Sequence, residues 1–61
     1  MNRITRKTID SIAYRNEDAA VELMRAAERT GDAVLKQQLL NVIHNLNQDA
    51  ADLRRLRNCV P

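Results

Sequence analysis

The residues in this 61-residue chain that could do chemistry are few, and most are cationic. Arg3, Arg6 and Lys7 open the sequence with no acid among them, and Arg54, Arg55 and Arg57 stand near its other end. Cations beside a helix start, together with the free N–H groups there, can hold a phosphate or an acidic partner. The three late arginines also have a simpler role, since positive charge near a helix C-terminus complements the helix dipole. A solvated basic tail is the plain alternative for the first three. His44 and Cys59 complete the inventory. One histidine and one distant cysteine do not make a metal site, so His44 reads as an exposed polar residue and Cys59 as a thiol without an activating base. No paired carboxylates, nucleophile with base, phosphate loop or metal quartet is visible, so the chain reads as non-enzymatic, with no cofactor and no small-molecule substrate.

The elements that position these residues follow from hydrophobic spacing. Leu35, Leu39, Val42, Leu46, Leu53, Leu56 and Val60 recur at alternating three- and four-residue steps. That is a heptad seam, with Leu39, Leu46, Leu53 and Val60 at position a and Leu35, Val42, Asp49 and Leu56 at position d. Ile43 and Ala50 widen it at position e, which suits a helix with more than one neighbour. Earlier in the chain, Ile9, Ile12, Ala13, Asn16, Ala19, Ala20, Leu23, Ala26 and Ala27 mark one face of another helix, with small residues that permit a close neighbour. Thr5 or Thr8 is the expected N-cap of this first helix. The single glycine, in Thr30-Gly31-Asp32, predicts a left-handed residue closing helix 1 and an aspartate capping helix 2.

These signals predict an all-α fold in one domain, 1–61. Helix 1 spans about 6–29, a turn covers 30–32, and helix 2 spans about 33–58 before Pro61. The short connection makes the pair an antiparallel hairpin, with Leu23 near Leu39, Ala19 and Ala20 near Val42 and Ile43, and Ile9 near Leu53. Sixty-one residues lie near the lower limit for a self-sufficient core, and the chain has one cysteine, one tyrosine and no zinc-ligand spacing to staple it. Dimerisation into a four-helix bundle is the expected remedy. Its core would draw on Ile9, Ile12, Leu23, Leu35, Leu39, Val42, Ile43, Leu46, Leu53 and Leu56. Asn16 and Asp49 interrupt the apolar faces, and buried polar residues of this kind commonly fix register or oligomer state. Asp49 has Arg15 as a candidate partner across the hairpin.

Tyr14, Val21 and Met24 form a second apolar row outside that core. They either complete the dimer core or, if Tyr14 stays exposed in the dimer, form a docking patch for an unidentified protein partner. Charge is unevenly spread: from Asn16 to Leu53, Arg25, Arg29 and Lys36 face Glu17, Asp18, Glu22, Glu28, Asp32, Asp49 and Asp52, while the chain as a whole carries +2. A basic pole therefore gathers at one end. Nucleic-acid or other anion contact through Arg3, Arg6, Lys7, Arg54, Arg55 and Arg57 is the alternative function. The lack of an apolar leader or a spanning run and the near-absence of cysteine predict a cytoplasmic protein with no membrane partner.

The opening Met1-Asn2-Arg3-Ile4-Thr5-Arg6-Lys7-Thr8-Ile9, the Ala-rich helix, the Thr30-Gly31-Asp32 turn and the Leu-rich helix together resemble small accessory proteins encoded in the exo–xis early region of lambda-like phages. The resemblance covers most of the chain and contains no catalytic or binding motif. It implies a regulator of host physiology or of the lysis–lysogeny choice, acting through protein contacts in the host cytoplasm. In length and layout alone the chain is also similar to Rop-type four-helix bundles, which bind paired RNA loops. Asp10, Glu17, Asp18 and Glu22 on helix 1 count against RNA binding of that type.

Overall fold

A computed structural model of the chain describes residues 2–59. It contains two helices, α1 (Arg3–Arg29) and α2 (Ala33–Cys59), packed against each other as a hairpin. Val60, assigned to the heptad seam, and Pro61, assigned as the helix stop, lie outside the described residues.

Helix α1 starts earlier than either threonine allows. Asn2 is the N-cap, and its Oδ1 accepts a hydrogen bond from the Thr5 N–H at 2.8 Å. Asparagine is among the strongest capping residues, so it captures the free N–H groups a turn sooner. Thr5 thereby becomes the donor to the cap. Thr8 lies inside the helix, where its hydroxyl donates to the Ile4 carbonyl at 2.9 Å. One consequence is that Arg3 and Arg6 sit in a first turn that holds no acid.

The turn also departs from expectation. Thr30 ends α1 in extended backbone, with φ −81° and ψ 138°, and Gly31 does not take a positive φ. The reversal is made instead by Thr30 and Asp32. The Thr30 hydroxyl oxygen accepts from the Asp32 N–H at 3.2 Å, and Asp32 Oδ1 accepts from Val34 and Leu35 N–H at 2.9 and 3.1 Å. Asp32 is therefore the cap of α2, as its position implied.

The line of contact between the helices is narrower than the sequence faces. On α1 the buried residues are Ile9, Ala13, Ala20 and Ala27; on α2 they are Ile43 and Ala50. The alanines, seven residues apart, form a small-residue column that lets the backbones approach, while α2 turns its e column toward α1 rather than the a/d leucines. Among the described residues no large side chain is fully buried. The hairpin measures 46 × 15 × 9 Å, two helices wide and one helix thick. It is one layer, whereas a domain core normally lies between two.

Candidate functional site

A single layer has two broad sides, and here they differ. One side carries the a/d residues of α2 and the Ile12, Asn16 and Leu23 flank of α1. Asn16, Asp49, Leu53 and Leu56 line one shallow hollow on it, which fixes that both helices contribute to the same side. Ile12, Leu23, Leu39, Leu46 and Leu53 are half-buried. Leu35, Val42 and Leu56 are 44%, 46% and 51% exposed, large values for aliphatic side chains at helical spacing. Of the ten residues assigned to a dimer core, the hairpin itself buries only Ile9 and Ile43.

Asn16 and Asp49 share this side. Asp49 is exposed and makes no ion pair with Arg15 among the described residues. With Asp52, which lines the same hollow, the two polar groups interrupt the apolar surface instead of being consumed within the hairpin.

The opposite side carries the row Tyr14, Val21 and Met24, exposed to 66%, 51% and 39%. Val21 and Met24 border a hollow with Ala20, Ile43, Asn47 and the charged residues Glu17, Arg25 and Glu28. Helical spacing puts Tyr14 and Val21 seven residues apart on one line, with Glu17 and Met24 on the adjoining one. This row belongs to the side away from the leucines, so covering the leucine side leaves Tyr14 open.

Two ion pairs cross the hairpin beside that row. Arg54 holds Glu17 with both terminal guanidinium nitrogens, Nη1 to Oε2 at 2.6 Å and Nη2 to Oε1 at 2.7 Å. The fork geometry makes this the best-aligned ionic contact in the molecule. Hydrogen bonding from Arg54, aided by its charge, holds the Glu17 carboxyl below the usual glutamate range; the same bond raises Arg54. Arg57 Nε lies 3.0 Å from Asp10 Oδ1, close enough to pair but without hydrogen-bond alignment. Sequence reasoning missed both pairs. The signal was present, since Asp10 and Glu17 are seven apart on α1 and the arginines sit near the far end of the antiparallel partner.

The six cations of the basic pole are consequently not equivalent. Arg54 and Arg57 are directed at acids of α1, and Arg55 is near Asp52 at 3.4 Å within its own helix. Arg3, Arg6 and Lys7 are exposed on the first turns of α1. His44 and Cys59 are exposed as well, and among the described residues no three His, Cys, Asp or Glu side chains are grouped to hold a metal. No described helix is long and apolar enough to cross a membrane.

No protein family, curated protein or solved structure matches the chain.

Proposed function

We propose that this chain is a small non-enzymatic regulatory protein that acts by protein–protein contact as a helical homodimer in the cytoplasm. The observation that supports it most is the pair of unlike, uncovered sides of a one-layer hairpin. The leucine side supplies the apolar area for self-association, and the opposite side presents Tyr14, Val21 and Met24 to a separate protein partner. A tyrosine with its apolar ring exposed beside Val21 and Met24, with the charged residues Glu17, Arg25 and Glu28 bordering the hollow, is the composition of an interaction patch with an apolar centre and a charged rim. By its sequence resemblance, the regulator would be a phage accessory factor affecting host physiology or the lysis–lysogeny choice.

The test separates the two sides. Replacing Tyr14 and Val21 by serine should abolish capture of the partner while leaving helicity and solution mass unchanged. Capture that survives the double substitution overturns the assignment of this patch.

Nucleic-acid contact is the second reading, favoured by one observation: Arg3, Arg6 and Lys7 are exposed at a helix start whose first turn holds no acid. It predicts binding to RNA or DNA that weakens steeply with salt. No detectable binding at low ionic strength removes it.

A further inference from the structure

The leucine side has a geometry and a charge setting that specify how it is covered. We infer that a second copy of this chain lies across it with its turn at the opposite end, so that the two basic ends point away from each other. This rests on the homodimer reading above and adds its direction.

The exposed area is the first argument. A compact domain of 7.0 kDa has an accessible surface of about 4,000 Å² by size scaling, whereas this chain has 4625 Å². The excess, on the order of 600 Å² over both broad sides, is the surface cost of a one-layer shape and is of the same order as the roughly 800 Å² that one partner contributes to a standard interface. Laying one 9 Å layer on another also produces the two-layer core that the hairpin lacks.

The leucine row is the second. Leu46 is the midpoint of α2, and steps of seven in either direction reach Leu39 and Leu53. Read from the other end the row is the same, so a reversed copy presents leucine to leucine across a two-fold axis near Leu46. Asn16 is the midpoint of α1 on the same side. Its amide has both donors and an acceptor, so near that axis it can pair with the Asn16 amide of the other copy.

Charge decides between the two directions. Near the chain termini Arg54, Arg55 and Arg57 face Glu17, Asp52 and Asp10, which leaves Arg3, Arg6 and Lys7 as the excess charge of that end. Around the turn, Arg25, Arg29 and Lys36 are balanced by Glu22, Glu28 and Asp32. Two copies pointing the same way would bring both basic ends within roughly one interhelical spacing, about 10 Å, close to the physiological screening length of about 8 Å. Reversal sets each basic end beside a balanced one and separates the poles by nearly the length of the bundle.

The native Cys59, exposed at the end of α2, reports the direction without any substitution. With a nitroxide on Cys59, pulsed electron paramagnetic resonance should give one spin–spin distance near 40 Å, twice the rise of the thirteen residues from Leu46 to Cys59 at about 1.5 Å each. Sedimentation of the same sample reports whether it is a dimer. A dimer with a distance under about 20 Å, or with both distances present, overturns the direction while leaving the homodimer intact. A monomer overturns the homodimer reading itself.

Discussion

At the scale of single residues, the Glu17–Arg54 pair is the contact whose chemistry is best defined. Both oxygens and both terminal nitrogens are engaged, and the arginine keeps Glu17 ionised below its ordinary range. A carboxylate whose folded pKa is lowered, as Glu17's is, stabilises the fold above its ordinary unfolded value and loses that contribution as pH falls through the lowered folded value. Glu17→Gln should therefore melt below the unsubstituted protein at neutral pH, and the two curves should converge in strong acid; thermal melts at a series of pH values check it. The cap is a second residue-scale determinant. Asn2→Ala should cost about 1 kcal/mol by loss of the bond to the Thr5 N–H, whereas Thr5→Ala should leave that backbone bond in place. Denaturant unfolding of the two variants distinguishes them. The cap was missed in the sequence because three residues suited to capping, Asn2, Thr5 and Thr8, crowd the first eight positions, and spacing alone does not say which one the apolar face will select. The cross-hairpin ion pairs were hidden for a related reason: long side chains reach several residues along a neighbouring helix, so pairing arithmetic misplaces them.

At the scale of the elements, the two helices were legible from periodicity and their junction from Thr30-Gly31-Asp32. The conformation inside that junction was not. Glycine permits a left-handed residue but does not require one, and here Asp32 and the extended Thr30 make the reversal. A side chain at Gly31 would meet nothing within 4 Å. Gly31→Ala should accordingly be tolerated and should stabilise by about 0.4–1 kcal/mol through the unfolded chain, an outcome opposite to that of a left-handed glycine. The line of contact between helices was half legible. Periodicity marked a wide face on each helix, but only close packing against a real neighbour selects the alanine column of α1 and the e column of α2 from it. Ala20→Leu should thus destabilise by about 1–3 kcal/mol through overpacking, while Ala51→Leu, at an exposed site of α2, should change stability little. Chemical denaturation of both variants tests which column carries the contact.

At the scale of the whole molecule, the dominant fact is a hairpin one helix thick with apolar residues on both broad sides. Of the seam that organises the sequence, Leu39, Leu46 and Leu53 are only half-buried in the hairpin, and Leu35, Val42 and Leu56 remain open on one side as Tyr14, Val21 and Met24 do on the other. The proposed self-association through the first side and partner contact through the second would give each of these rows a role, and a reversed pair of hairpins would carry two copies of the Tyr14 row on opposite outer surfaces. The most direct measurement is the solution mass of three proteins across a dilution series: the unsubstituted chain, Val42→Glu, and Tyr14→Ser with Val21→Ser. The account predicts twice 7.0 kDa for the first and third and a poorly helical, lighter species for the second. An unsubstituted chain that stays monomeric and fully helical, or a dimer that survives Val42→Glu but is lost with Tyr14→Ser and Val21→Ser, would contradict it.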